Sequence, residues 1–396
     1  MIEKIKLTED LKWILERLNS YGKGYIVGGY IRDYLLGIEP KDCDFCTDIE
    51  YEQLKVIFKD CSPKEIGKAF GIIQIIYKGK SYEIAKLRKE LGFTSSRNVV
   101  DIEFVSDIYE DLKRRDFTVN AIAFDGKNLF YPSSLALEDI ENRILRFVGE
   151  GAKRVKEDPL RILRGIRIAG EKNLNILDSV QEIILKNKEE IKRVSIERVQ
   201  DEIFKMLKGK NRENSFYLLN KLGIFEELFP ETSKKINLKE VLNKIKIVKS
   251  LNLELAIIFF KSKEELSKLK LDNKSKKSIL NIINQKDNFK NIKSKYEVKK
   301  MISLIGLEDF KDILVLEKIE REISNLEIFL KDILDKNEPI FLKDLAISGK
   351  DIISEGVTDG KKIKLILEKS LESVLQNPDF NTKDYLMKII EEAFNS

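Results

Sequence analysis

The stretch "YIVGGYIRDYLLGIEPKDCDFCTD", residues 25–48, decides how this chain is read. It opens on a short apolar run, Tyr25–Val27, turns at Gly28-Gly29 and ends on Asp42-Cys43-Asp44. Adjacent glycines permit a tight turn and let backbone approach a ligand. Tyr25–Val27 and residues 43–47 read as strands, with a helical turn or two over 30–36 between them. In a strand, residues two apart project from one face, so Asp42 and Asp44 point together. Paired carboxylates repel unless a cation neutralises them, and hard oxygen donors suit Mg²⁺. Two such ions can activate an attacking hydroxyl and stabilise a leaving pyrophosphate. The glycine turn and the helix start after it offer N–H groups to a triphosphate, and Arg32 lies just beyond to pair with phosphate oxygens. Glu83 is expected as a third carboxylate if its strand neighbours the first. Taken alone, an Asp-x-Asp is more often a solvated strand-to-loop segment, so the weight falls on what surrounds it.

Working outward, residues 8–21 read as a helix with Leu11, Ile14, Leu15 and Leu18 on one stripe, stopped at Gly22. Residues 51–59 read as a second helix. "GIIQIIYKGKSYEIAKL" (71–87) reads as a β-hairpin turning near Lys78–Lys80. "VDIEFVS" and "FTVNAIAFDGKNLFYP" supply further strands. After about residue 147 strand signals stop, and the remainder reads as helices with short polar breaks. Strands mixed with helices followed by helices alone suggest separate domains, an α/β head and a long helical body.

Composition narrows the chemistry. The chain has 396 residues, 42% of them hydrophobic, enough for several domains with buried cores. The net charge of +5 permits a polyanionic partner without requiring one. No apolar run approaches the roughly 20 residues of a membrane span. "MIEKIKLTEDLKW" has no signal-peptide core, so a cytoplasmic location is expected. Three cysteines, Cys43, Cys46 and Cys61, suit neither a disulfide framework nor a zinc site and read as small strand residues. There is no histidine. Ser-His-Asp and Cys-His catalysis and histidine-bound zinc are therefore excluded. Carboxylates, metal ions, Arg and Lys must carry whatever chemistry occurs.

With these residues in place, the chain resembles the class II tRNA nucleotidyltransferases, which share a polymerase-β-like head with bacterial poly(A) polymerases. The resemblance rests on an ordered set of motifs. Gly28-Gly29-Tyr30-Ile31-Arg32-Asp33 precedes Asp42-Cys43-Asp44, and Arg114-Arg115-Asp116-Phe117-Thr118-Val119-Asn120-Ala121 follows. "DIENRILR" (139–146) comes next, then Glu157-Asp158-Pro159-Leu160-Arg161 with Arg164 and Arg167. A looser match is Glu197-Arg198 with Glu202 and Lys205, and "GIFEELFPE" and "AISGKDIISEGVTDGKKI" extend the likeness through most of the chain. The resemblance implies an α+β protein: a nucleotidyltransferase head of mixed sheet and helices over 1–138, then an all-α neck (139–210), body (211–300) and tail (301–396). It implies a catalytic set of Asp42, Asp44 and Glu83, with Asp42 and Asp44 holding two Mg²⁺. Gly28, Gly29, Arg32, Arg115, Asn120, Asp158, Arg161, Arg164 and Arg167 are implied to bind CTP or ATP, with tRNA as partner.

A helical wheel over 157–168 places Leu160, Ile162, Leu163 and Ile166 on one half and Asp158, Arg161, Arg164 and Arg167 on the other. For an isolated helix, i, i+3 salt bridges are the simpler reading. Nucleobase chemistry favours another. Cytosine and adenine each present an amino donor beside a ring-nitrogen acceptor, whereas uracil and guanine present the reverse. A carboxylate that accepts and an arginine that only donates fit the first pair and reject the second. The family gives Asp158 and Arg161 that role. The Lys-rich helices of 230–300 read equally as solvated surface or as a phosphate-tracking face for tRNA. "SGKDIISEGVTDGKK" (348–362) reads as two helical pieces around a glycine turn.

The expected activity is template-independent addition or repair of the 3′-terminal CCA of tRNA. The rivals are a poly(A) polymerase, an enzyme adding only CC or only A, and a non-catalytic RNA-binding protein. "IGKAFGIIQIIY" (66–77) is closer to the CCA-adding pattern than to the more basic poly(A) one. "LRKELGFTSSRNVVDIEF" (87–104) reads as the flexible segment that governs partial against full addition in the family, and departs from the usual pattern at Ser95-Ser96-Arg97.

Overall fold

The computed structural model describes residues 5–94 and 99–394. The chain divides into two compact units, Met1–Lys234 and Lys235–Ser396.

In the first unit, helix α1 (Glu9–Asn19) buries the expected stripe of Leu11, Ile14, Leu15 and Leu18. Strand β1 (Gly24–Val27) is buried throughout. It leads through Gly28 into α2 (Gly29–Leu35), then β2 (Asp44–Thr47) and α3 (Tyr51–Ile57). Strands β3 (Lys64–Gly67), β4 (Ile72–Tyr77) and β5 (Lys80–Lys86) follow. The β4–β5 hairpin turns at Lys78 and Gly79, both at positive φ, as a two-residue turn between right-twisted strands requires. Strands β6 (Arg88–Thr94) and β7 (Val99–Phe104) form a separate antiparallel ribbon. Helix α4 (Ile108–Lys113), strands β8 (Ala123–Phe124) and β9 (Leu129–Phe130), helix α5 (Leu135–Glu141) and strand β10 (Ile144–Leu145) complete the first part. Then come α6 (Gly151–Glu157), α7 (Leu160–Lys172), β11 (Asn175–Ile176), α8 (Asp178–Lys186), α9 (Ile196–Lys208), α10 (Arg212–Lys221) and α11 (Ile224–Leu228).

The main sheet has seven strands in the order β3-β4-β5-β2-β1-β8-β9. β2 and β5 are parallel and the other neighbours antiparallel. Its core packs Tyr25, Val27, Cys46, Leu87, Ile108, Leu112 and Ala123 together. All three cysteines are free and buried, as small strand or core residues should be.

Four sequence expectations need correction in detail. First, strands do not stop at 147, because β11 pairs in parallel with β10. A two-residue strand carries no periodic signal. Second, the start of the segment read as flexible is strand β6, its alternation hidden by charges in "RKE". Ser95, Ser96 and Arg97 lie outside the described residues. Third, Thr118–Asn120 is a single 3₁₀ turn rather than strand. Fourth, 157–168 is not one helix. α6 ends at Glu157, Asp158 is extended (φ −147°, ψ 100°), and α7 starts after Pro159. Proline lacks the N–H of a helix interior and pushes the residue before it out of the helical region.

α7 nonetheless buries the apolar side expected of it. Leu160, Ile162, Leu163 and Ile166 are at most 7% exposed, and such side chains contribute roughly 1.5–3 kcal/mol each on burial. Gly170 lets α7 approach α10. A Cβ there would stand 2.4 Å from Ser215 Oγ and 2.5 Å from its Cα.

The second unit contains helices and, among its described residues, no strand. Ile347, Ile352, Val357, Ile366, Val374, Leu386 and Ile390 pack one of its cores. Residues 348–362 fold as expected, with helix Gly349–Ser354, a turn at Gly356 (φ +95°) and helix Gly360–Gln376. In the Lys-rich helix Asn273–Gln285, Lys274, Lys276 and Lys277 are exposed while Ile279, Ile282 and Ile283 are buried. Among the described residues, no helix is long and apolar enough to cross a membrane.

Candidate active site

Sheet register builds the site. Val27, the last residue of β1, lies opposite Asp44, the first of β2, and opposite Ala123 of β8. Asp44 in turn lies beside Glu83 of β5. The Gly28 turn, the start of β2 and the 3₁₀ turn ending at Asn120 therefore meet at one end of the sheet. Gly28 N–H donates to the Ile122 carbonyl at 3.0 Å, closing this junction. Gly28 sits at φ +67°, and a Cβ there would come within 3.1 Å of Arg115 Nη1. A side chain would meet both backbone strain and a guanidinium, which is the physical reason for glycine here.

The strand expected through Asp42 and Asp44 starts only at Asp44, with Asp42 and Cys43 just before it; Cys43 is buried, while Asp42 and Asp44 are open, with Glu83 open beside them. None of these three carboxylates has a hydrogen-bond or ion-pair partner among the described residues. Protein packed around Asp44 pushes its carboxyl up, Arg115 pulls it down, and Asp42 adds repulsion. Glu83 is also pushed up, by burial first and then by Asp44 and Asp42. Among the described residues, no group of three or more carboxylate, histidine or cysteine side chains stands ready to hold a metal on its own. Two hard-oxygen ligands with the rest of the shell open is the donor set of a cation shared with phosphates and water.

A cleft of about 600 Å³ opens beside these residues, lined by ten Arg or Lys and seven Asp or Glu side chains. The cationic excess suits a polyanion. Gly28, Gly29, Arg32, Asp42, Asp44, Arg115, Asn120, Asp158, Arg161, Arg164 and Arg167 all line it. Glu83 is absent from the lining and reaches the site only as the register neighbour of Asp44.

Most of the cleft's other charges are tied. Arg32 donates to Asp33 (Nε–Oδ1 2.8 Å) and to Asn120 Oδ1 (2.6 Å). Lys172 reaches Asp33 Oδ2 at 2.9 Å. Asn120 Nδ2 donates to Asp116 Oδ1 at 3.0 Å, and Arg164 Nε donates to Asp116 Oδ2 at 2.8 Å. Burial opposes the charge on Asp116, but Arg164 and Asn120 prevail and hold its carboxyl below the usual range. Arg114 and Arg115 share Asp111, likewise held low against its burial. Arg167 pairs with Glu202 at 2.7 Å. Arg88 is crowded by burial and by Arg114, which bring it down to about 10.

Asp158 and Arg161 stand together in the cleft; the Arg161 N–H donates to the Asp158 carbonyl at 3.0 Å, but their side chains do not bond each other. Asp158 Oδ1 accepts from the Leu160 N–H at 3.2 Å and Oδ2 from Arg198 at 2.8 Å. Arg161 Nη1 donates to Glu157 at 2.8 Å and to the Arg154 carbonyl at 3.2 Å. Its Nη2 reaches the Arg114 carbonyl at 3.3 Å. Sequence reasoning gave no site role to Asp33, Lys41, Arg88, Glu90, Asp116, Glu171, Lys172 or Arg198, all of which line the cleft. The order of the motifs held a signal for Asp116 and Arg198. Nothing local foretells the Asp33–Lys172 pair, 139 residues apart.

Comparison with known proteins matches this chain to two family models, "Poly A polymerase head domain" over residues 24–146 and "Probable RNA and SrmB-binding site of polymerase A" over 173–236. The chain is 31% identical to a CCA-adding enzyme of Staphylococcus haemolyticus over 402 residues, covering 98% of each chain. It is 29% identical to the CCA-adding enzyme of Staphylococcus epidermidis, again covering 98% of each. In fold it is similar to the crystal structure of a Bacillus stearothermophilus CCA-adding enzyme in complex with CTP (TM-score 0.82, 24% identity, 98% of each chain).

Proposed function

The chain belongs to the family of CCA-adding enzymes, and from that premise we propose how its cleft performs the reaction. The enzyme adds or repairs the 3′-terminal CCA of tRNA from CTP and ATP without a nucleic-acid template. The tRNA 3′-hydroxyl attacks the α-phosphorus of the bound nucleotide, and pyrophosphate leaves. The observation that carries the reading is the contrast within the cleft: Asp42 and Asp44 lack partners among the described residues where the neighbouring carboxylates are tied, and Glu83, also without one, lies beside Asp44 in the sheet.

Asp42 and Asp44, with Glu83 beside them, would hold two Mg²⁺. When bound, these ions supply positive charge to the phosphates and lower the proton affinity of the attacking hydroxyl. The Gly28-Gly29 backbone and Arg32, Arg115, Arg164 and Arg167 take the triphosphate and sugar. Asn120 fixes Arg32 through the 2.6 Å hydrogen bond and is placed to meet the ribose. Asp158 accepts the exocyclic amine of C or A, and Arg161 donates to the ring nitrogen. Its Nε, which makes no hydrogen bond among the described residues, remains for that purpose. A base of the wrong pattern leaves a buried donor or acceptor unpaired, a cost that rejects it strongly.

Residues 1–138 act as catalytic head, 139–210 as the neck that reads the base, 211–300 as body and 301–396 as the tail that grips tRNA. Exposed lysines such as Lys274, Lys276 and Lys277 support phosphate tracking. Work on tRNA, together with three free cysteines, supports a cytoplasmic location.

The test is incubation of tRNA ending before CCA with labelled CTP, labelled ATP, or both. Two C additions with CTP alone, completed by one A when ATP is present, are expected. A single product length from CTP regardless of ATP would identify a CC-adding enzyme, and long A tails a poly(A) polymerase.

A further inference from the structure

Helix α9 carries no residue of the proposed nucleotide set, yet it holds two of them. Arg198 and Glu202 are four apart and share one face of the helix. Glu202, 2% exposed, accepts from Arg167 Nε at 2.7 Å. Arg198 Nη2 donates to Asp158 Oδ2 at 2.8 Å, across 40 residues of chain.

Asp158 needs such a hold. It lies in the break between α6 and α7, in extended backbone whose N–H donates to the Arg154 carbonyl at 3.2 Å and whose carbonyl accepts from the Arg161 N–H at 3.0 Å, bonds that hold the main chain but not the carboxylate. Its Oδ1 is fixed by the Leu160 N–H at 3.2 Å. A single such contact leaves the carboxylate free to swivel. The Arg198 contact supplies a second point, so the plane of the carboxylate is set. A carboxylate oxygen accepts more than one hydrogen bond, so Oδ2 can take an exocyclic amine while Arg198 stays in place.

Building on the proposed base-reading role of Asp158, we propose that Arg198 is a specificity-determining positioning residue. It aims the Asp158 carboxylate so that cytosine and adenine are accepted and uracil and guanine rejected. It does this from the rim of the cleft, its side chain 53% exposed and that of Asp158 23% exposed. Arg198 is thus replaceable without opening a core.

The experiment is single-turnover incorporation of each of the four nucleotides by wild type, Arg198→Ala, Arg198→Lys, Asp158→Ala and the double variant. All are checked for melting temperature and tRNA affinity. Arg198→Ala should lower the CTP/UTP and ATP/GTP ratios by about tenfold, the scale of one charge-assisted hydrogen bond weakened by solvent. Melting temperature and tRNA affinity should stay near wild type. Arg198→Lys should recover part of the lost discrimination, because the ammonium can still reach the carboxylate. In the Asp158→Ala background, removing Arg198 should change the ratios no further. If Asp158→Ala loses discrimination while Arg198→Ala keeps or improves it, the positioning role is overturned and the base-reading role stands. If Asp158→Ala itself keeps the wild-type ratios, the base-reading role fails first. A drop in all four rates at constant ratio would assign Arg198 to structure alone and also overturn the proposal.

Discussion

Replacing Asp116 with asparagine tests the charge network that holds the cleft. Asp116 is 7% exposed. Its Oδ1 accepts from the Phe117 N–H at 2.8 Å and from Asn120 Nδ2 at 3.0 Å. Its Oδ2 accepts from Arg164 Nε at 2.8 Å and forms an ion pair with Arg164 Nη2, also at 2.8 Å. Asparagine is nearly isosteric. Its single amide oxygen can serve Phe117 and Asn120, but then its NH₂ meets the Arg164 donors. Charge-assisted hydrogen bonds contribute about 1.5–3 kcal/mol each. The Arg164 side chain is 40% exposed, so water replaces part of what is lost. A net loss of about 2–3 kcal/mol follows after that discount. For a unit the size of Met1–Lys234 this is a fall in Tm of about 4–12 °C.

The same substitution carries a pH signature. Because the fold holds the Asp116 carboxyl below its ordinary value, folding favours its ionised form. Its contribution is complete above the ordinary carboxylate pKa of about 4 and is lost as pH falls through the lower folded value. The Tm difference between wild type and Asp116→Asn should therefore be widest near neutrality and shrink on acidification below about pH 4. In turnover, Arg164 and Asn120 lose their shared anchor, and Asn120 in turn holds Arg32. KM for CTP and ATP should rise together by about tenfold, the equivalent of 1.4 kcal/mol. The CTP/UTP ratio should stay unchanged, because Asp158 hangs from other partners. Differential scanning calorimetry from pH 3.5 to 7.5 and steady-state kinetics make the measurement. An Asp116→Asn protein with wild-type Tm and KM would refute the network's role.

Two further outcomes are expected. Gly170→Ala should lower Tm by several degrees at unchanged KM ratios, because its Cβ would stand 2.4–2.7 Å from Ser215 atoms and overpacking costs about 1–3 kcal/mol; calorimetry that finds no change would contradict the close α7–α10 packing. The dissociation constant for tRNA, measured by filter binding, should weaken steeply between low and physiological salt as phosphate contacts release counterions. A flat dependence would remove the exposed lysines as the tRNA platform.

What could be read in the sequence followed from periodicity and from chain-local chemistry. A strand read through Asp42 and Asp44 put both on one face; the structure leaves both open around buried Cys43, though the strand itself starts only at Asp44. The β4–β5 hairpin was legible because apolar alternation flanks a Lys78-Gly79 turn. Pro159 was equally visible, yet the wheel over 157–168 ran through it and hid the break at which Asp158 leaves helical backbone geometry. Strand β6 was obscured by charges that pair within the fold, such as Lys89 with Glu103. The tie of Lys172 to Asp33 and that of Arg198 to Asp158 join residues distant in sequence. Such contacts depend on how strands and helices pack, and no local pattern encodes them.

The claim that the partnerless carboxylates of Asp42 and Asp44 carry the chemistry is tested most directly by single-turnover CTP incorporation into tRNA ending before CCA. Wild type, Asp42→Ala and Asp44→Ala are compared with Mg²⁺ present, alongside tRNA binding by the same proteins. Both variants should lose incorporation while binding tRNA and melting nearly as wild type does, since neither carboxylate supports the fold through a hydrogen bond or ion pair among the described residues. Either folded variant turning over at close to the wild-type rate would contradict the assignment.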